Sequence, residues 1–205
     1  MSTLKFLSAD AAETGGRWCP LARSPMQHLQ RERDARFETR HGWELAVSFP
    51  EESTALANVA IVELPHLGKL DVRGAGERPD GHAYWYQLTP ERALCVTSAD
   101  DTARIRSALE NSVRAVTDVS AGLGSVAILG PRGIDMLRRL TELETFPASG
   151  LVSHLHGHVL PLKGGVLLLF PQEYGHYLYE VLLDAAAPFD GGPAGIDAIP
   201  EGELW

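Results

Sequence analysis

Three histidines stand at alternate positions, His154, His156 and His158, in the stretch SHLHGH. Side chains at alternate positions of a β-strand share one face, so the three imidazoles would point the same way. Two of them could bind one zinc ion together, but a zinc site needs at least a third protein ligand. The sequence places neither Glu173 nor His176 beside them. Because alternating polar residues are also typical of a half-exposed antiparallel strand, we predict one polar strand face with partly solvated rings and no metal site.

Other short motifs predict structure rather than chemistry. The turn Gly130-Pro131-Arg132-Gly133 before a helix could bind an anion through free backbone amides, but a plain strand-to-helix turn is the more common use of such residues. Asp100-Asp101 fits the first turn of a helix, where the helix dipole favours acids. Cys95 lies in an apolar segment, and buried thiols of this kind are usually inert. We therefore predict no catalytic residue from the side chains alone.

Composition excludes several classes of function. The chain has 205 residues and a formal net charge of −9, whereas nucleic acids and anionic membranes require a positive binding face. Its two cysteines lack a Cys-x-x-Cys pattern, which fits a reducing compartment. No apolar run approaches the ~20 residues of a membrane span, and the N-terminus lacks the features of a signal peptide. We expect a cytoplasmic protein that binds neither nucleic acid nor membrane.

The elements that position these residues follow from periodicity and from helix signals. Residues 1–23 are expected to form a mobile tail, and Ser24-Pro25 begins a helix whose thin apolar side predicts a place on the surface or against a partner. Further helices are expected from Ser98 to about Asn111, after Gly133, and from Glu173 to Ala186. Strands are predicted at 43–49, 60–64, 66–74, 84–88, 93–97, 113–119, 125–129, 151–162 and 166–170. Because strand–strand–helix order occurs twice, an α+β fold of two antiparallel sheet-and-helix lobes is expected over residues 24–199, followed by a tail at 200–205.

Several segments, in order, resemble the aminomethyltransferase (T-protein) family of the glycine cleavage system. They are SPMQHLQRERDARFETRHGWELAVSF, AVTDVSAGLGSVAILGPRGIDMLRRL, FPQEYGHYLYEVLLDAA and GPAGIDAI. The resemblance implies the folate-binding-type fold of that family, without its C-terminal barrel domain. It also places Phe170, Glu173 and Tyr177 on the family's pterin-binding motif, with Phe170 as a stacking ring and Tyr177 where the family has its pairing glutamate.

The departures from the family pattern change the expected function. Only residues 75–83 separate Gly74 from the next strand, so the family's acid-bearing segment looks deleted, and a phenol at Tyr177 cannot match a carboxylate's geometry. We therefore expect tetrahydrofolate to bind weakly or not at all. A short chain of this kind is similar to the gamma subunit of heterotetrameric sarcosine oxidase, which implies a non-catalytic subunit partnered by other subunits or a homo-oligomer. The alternative is a stand-alone folate-dependent one-carbon transferase.

Overall fold

The computed structural model describes residues 21–74, 78–80 and 83–199. Most of the predicted N-terminal tail and all of the predicted C-terminal tail lie outside these residues. Ala22, at the end of the predicted tail, forms a parallel bridge with Trp43. No helix in the described part of the chain is long and apolar enough to cross a membrane.

The described residues form five α-helices. They are α1 (Gln27–Arg31), α2 (Glu52–Ala57), α3 (Thr102–Glu110), α4 (Gly133–Leu137) and α5 (Gly175–Ala186). Single 3₁₀ turns occur at Gln172–Tyr174, Ala187–Phe189 and Ile196–Ala198. The helix expected from Ser98 begins at Thr102, with Asp101 as its N-cap and no side-chain capping hydrogen bond. The Ser98 hydroxyl instead accepts a hydrogen bond from the amide of Asp101 (3.3 Å) in the turn before α3.

A six-stranded sheet has the order β12-β3-β8-β11-β10-β9. Its pairs are antiparallel except for the parallel pair of β12 with β3. The strands are β3 (Ala60–Glu63), β8 (Leu123–Leu129), β9 (Ala148–Val152), β10 (Leu155–Leu162), β11 (Gly165–Pro171) and β12 (Gly192–Ala194).

A four-stranded antiparallel sheet has the order β5-β6-β4-β7. It contains β4 (Gly68–Arg73), β5 (Ala83–Thr89), β6 (Arg92–Thr97) and β7 (Ala115–Asp118). A separate hairpin pairs β1 (Arg36–Arg40) with β2 (Trp43–Ser48). The described residues contain no closed barrel, since each sheet has two free edges.

The core has three apolar layers that follow the alternation of the strands. Val126, Ile128 and Leu168 face α1, α4 and α5 on one side of the large sheet. The opposite side of that sheet packs against the small sheet, through residues such as Ala127, Leu167, Leu94 and Val96. The other side of the small sheet packs on α3 through Leu70, Cys95, Ile105 and Leu109. The four layers are therefore helices, sheet, sheet and helix, which confirms the predicted α+β class.

The predicted surface position of the first helix is wrong. Met26 and Leu29 of this segment are buried in the core beside α5, and two glutamines are buried with them. Gln27 donates a hydrogen bond to Glu44 (2.7 Å) and Gln30 donates one to Glu63 (2.7 Å). Each glutamine amide thus has a carboxylate as its hydrogen-bond partner, which offsets the free-energy cost of burying a polar group. These two glutamines are the polar residues that made the apolar side of the helix look thin in the sequence.

The predicted continuous strand at 151–162 is also wrong. It is a hairpin in which Val152 of β9 pairs with Leu155 of β10 across the two-residue turn Ser153-His154. Both turn residues have positive φ, 46° and 70°, as a type I′ turn requires. Such a turn is usually marked in a sequence by Asn-Gly or Asp-Gly. Ser153-His154 is neither, so the sequence does not indicate a turn at this position. His154 therefore lies in the turn and only His156 and His158 share a strand.

Candidate functional site

The three residues of the predicted pterin motif lie in different surroundings. Phe170, near the end of β11, is 1% exposed and packs in the core, where a Cβ added at Gly124 would come within 2.8 Å of its ring. Glu173 is exposed in the 3₁₀ turn that precedes α5. Tyr177 is on α5 and 41% exposed. The structure thus encloses the ring predicted to stack on a pterin, while it leaves the two polar side chains on the surface.

Tyr177 contacts the β9–β10 turn. Its hydroxyl lies 3.1 Å from the Ser153 hydroxyl and donates to the Ser153 carbonyl oxygen (3.3 Å). The Tyr177 phenol therefore holds the backbone of a turn whose two residues have positive φ.

His156 and His158 lie on the face of β10 that packs toward the small sheet. Their ring centroids are 5.6 Å apart. The Nδ1 atom of His158 is 2.6 Å from the hydroxyl of Ser149, which is 2.9 Å from the hydroxyl of Tyr86. Burial lowers the pKa of His158 to about 4, with smaller contributions from His156 and Arg92. Hydrogen bonds therefore link Tyr86, Ser149 and the neutral ring of His158, and through Tyr86 they join the two sheets.

The rest of the histidine run shows no metal-binding arrangement. Within residues 21–74, 78–80 and 83–199, no group of three or more histidine, cysteine, aspartate or glutamate side chains is placed to hold a metal ion. His154 is exposed in the turn, and Ser149 takes one ring nitrogen of His158.

A buried group of ionisable side chains lies where β3 leads into β4. Burial raises the pKa of Glu63 to about 7 and lowers the pKa of Lys69 to about 7. Burial also lowers the pKa of His66 to about 3. Lys69 has no exposed surface, and its ammonium donates to the carbonyl of Pro65 (3.1 Å). The Lys69 amine and the Glu63 carboxyl are thus closed to solvent, whereas His66 is half-buried.

The alternation of residues in β4 does not by itself reveal that the face bearing Lys69 is buried. β4 alternates Lys69 and Asp71 with Leu70 and Val72, and the two apolar residues pack on α3. Polar residues on the alternate face normally indicate solvent. Here the large sheet covers that face, and only the packing of the two sheets reveals this.

An open cavity of about 740 Å³ lies beside the edge strand β9. We call it the β9 groove; it is lined by residues 138–143 and by Leu151, Ser153 and His154. The Thr141 hydroxyl donates to the carbonyl of Leu151 (2.6 Å), and the Ser153 amide donates to the carbonyl of Leu140 (2.7 Å). The segment after α4 therefore runs along β9 and occupies part of its free edge. No sequence motif predicts this groove.

No family model and no curated protein matches the sequence. Among solved structures, the glycine cleavage system aminomethyltransferase T from Bartonella henselae superposes with a TM-score of 0.68 and 16% identity, over 87% of this chain and 60% of its own. A chain of the heterotetrameric sarcosine oxidase from Corynebacterium sp. U-96 superposes with a TM-score of 0.58 and 16% identity, over 83% of this chain and 97% of its own.

These matches establish the fold. The chain has the α+β fold of the aminomethyltransferase type, as its sequence motifs predict. It shares this fold with a chain of a heterotetrameric sarcosine oxidase, nearly all of whose length it covers, whereas it spans only 60% of the aminomethyltransferase.

Proposed function

We propose that this protein is a non-catalytic, gamma-type subunit of a sarcosine oxidase-like assembly, which oxidises an amine in one-carbon metabolism with flavin and folate bound on other subunits. The observation that carries the proposal is the extent of the structural match, 97% of the sarcosine oxidase chain against 60% of the aminomethyltransferase. A chain of that length is a building block of a heterotetramer in the solved oxidase. We propose the cytoplasm as its location.

The predicted folate residues support a role without chemistry. Phe170 is enclosed in the core, and Tyr177 is engaged with the turn at Ser153. A pterin site needs a carboxylate that can accept two hydrogen bonds together with an accessible stacking ring. We propose that tetrahydrofolate binds this chain weakly or not at all.

The alternative is a stand-alone aminomethyltransferase-like enzyme. The extent of the fold match to aminomethyltransferase T favours it, since 87% of this chain superposes. Its candidate acids are Asp71, Asp118 and Glu173. The Asp71 carboxylate is bound by Arg92 (2.9 Å) and Arg73 (3.3 Å), and Glu173 is exposed, so Asp118 would be the acid to substitute first.

Affinity purification from the native host tests the proposal. We expect the tagged chain to elute with larger partner chains and bound flavin, and the complex to oxidise sarcosine while the isolated chain does not. A tagged chain that elutes alone or as a homo-oligomer, and that catalyses aminomethyl transfer by itself, would contradict the proposal and favour the alternative.

A further inference from the structure

The β9 groove concentrates positive charge on an acidic protein. Arg138 and Arg139 line it and are both exposed, on a chain whose formal net charge is −9. Arg138 lies 4.0 Å from Asp135, and Arg139 lies 5.8 Å from the Phe189 ring centroid. The first distance is at the upper limit for an ion pair and the second is near the upper limit for a cation–π contact. Most N–H donors of the two guanidinium groups are therefore available to bind another molecule.

The groove also has an apolar wall. Leu143 and Leu151 line it, and Leu151 is 62% exposed, the largest exposed fraction among the large apolar side chains of the described residues. Glu142 is the acid among the lining residues and opposes an incoming anion. Two arginines beside two leucines suit a ligand that carries both carboxylates and apolar side chains, and the cavity volume exceeds that of a simple anion.

The turn that closes the groove is held in an unfavourable conformation. Ser153 and His154 both have positive φ, which costs roughly 1 kcal/mol or more for a residue with a Cβ. The Tyr177 hydroxyl binds this turn from α5. Strain of this kind persists where the surrounding structure compensates for it and is common at binding sites.

We propose that the β9 groove binds an acidic, leucine-containing segment of a partner polypeptide, with Arg138 and Arg139 pairing with its carboxylates. Tyr177 is a positioning residue that holds the turn carrying His154 against the segment. This inference rests on the proposed function, because it supplies the contact by which the subunit joins its assembly. The 140–143 segment covers part of the β9 edge, so binding uses side chains in the groove and not addition of a strand.

Fluorescence anisotropy with defined peptides tests the groove directly. The probe is a fluorescein-labelled peptide of alternating glutamate and leucine; controls are the same peptide with glutamine for glutamate, and glutarate as a competitor. We expect the acidic peptide to bind, the glutamine peptide to bind at least about tenfold more weakly, and added salt to weaken binding. Equal binding of both peptides, or full displacement by millimolar glutarate, would overturn the proposal, the latter because it indicates a small-anion site.

Variants then assign the binding to the groove. The double variant Arg138→Gln/Arg139→Gln should weaken peptide binding by roughly three- to tenfold, because it removes the positive charges that attract the acidic peptide. Glu142→Gln should strengthen binding, because it removes a negative charge that repels the peptide. The control is Arg114→Gln, which removes one exposed arginine next to β7, half the charge removed by the double variant, and should leave binding unchanged. If Arg114→Gln weakens binding as much as the double variant does, net charge and not the groove is responsible, and the proposal fails.

The native assembly separates this inference from the proposed function. If partner chains co-purify with the parent protein and with Arg114→Gln but are lost from Arg138→Gln/Arg139→Gln, both proposals stand. If they co-purify equally with all three, the chain is a subunit and the groove proposal is wrong. If no partner co-purifies with the parent chain, the proposed function fails whatever the peptides show.

Discussion

Replacing Lys69 by methionine should remove a pH dependence of stability that the fold creates. The Lys69 side chain is fully buried, and burial lowers the pKa of its ammonium from an ordinary 10.5 to about 7. Between pH 7 and 10.5 the unfolded chain therefore keeps a proton that the folded chain has released. Unfolding takes up that proton, so the stability contributed by this group rises with pH across the window.

The size of the effect follows from the shift. One pKa unit corresponds to about 1.4 kcal/mol, so the two pH units from 7 to 9 should raise the free energy of unfolding by about 2–3 kcal/mol. The upper bound of pH 9 matters because burial raises the pKa of Cys95 from 9.0 to about 12, which lowers stability at higher pH. Methionine fills a similar volume without a titrating group, so Lys69→Met should lack the rise; it also leaves the Pro65 carbonyl without its hydrogen bond from Lys69, so the pH profile and not the stability at one pH is the readout.

Urea unfolding of both proteins at pH 7, 8 and 9 measures the difference. Lys163→Met, in the exposed β10–β11 turn, is the matched control and should keep the parent's pH profile. Parallel profiles for the parent and Lys69→Met would refute the reasoning, because they would mean that Lys69 keeps its proton in the folded protein.

Three further changes test neighbouring features. Burial raises the pKa of Glu63 from 4.5 to about 7, so the contribution of this group to stability falls between those pH values. Glu63→Gln should remove that contribution, so in urea unfolding the stability of the variant relative to the parent should rise by about 3 kcal/mol from pH 4.5 to 7. His154→Gly should raise the free energy of unfolding by about 0.5–1 kcal/mol in urea, because glycine adopts its φ of 70° without strain, and a loss of stability would contradict the strained-turn argument. Tyr177→Glu should not improve tetrahydrofolate binding by calorimetry, because Phe170 is enclosed; micromolar binding by the parent or the variant would show an accessible pterin site.

Much of the layered architecture could be predicted because it depends on local periodicity. The alternation in β8 and β11 already separates residues that face the helices from residues that face the second sheet. The hairpin turn at Lys163-Gly164 likewise depends on adjacent residues, since Gly164 has the positive φ of 79° that this turn needs. The order of the family-like motifs correctly indicated the aminomethyltransferase-type fold.

The burial of polar side chains was decided by tertiary contacts alone. Gln30 looks like a surface residue of a weakly amphipathic helix until Glu63, 33 positions later, lies 2.7 Å away to accept its hydrogen bond. Lys69 has the alternation of a solvated face, and the second sheet turns that face inward. Phe170 and Tyr177 are close in the chain, with the 3₁₀ turn Gln172–Tyr174 between them. Phe170 is nevertheless enclosed in the core, whereas Tyr177 lies on the surface and binds the β9–β10 turn. A sequence pattern specifies which side chains share a face, but which faces lose contact with water depends on how distant elements pack, and that packing sets the charge, access and pKa of every candidate site in this protein.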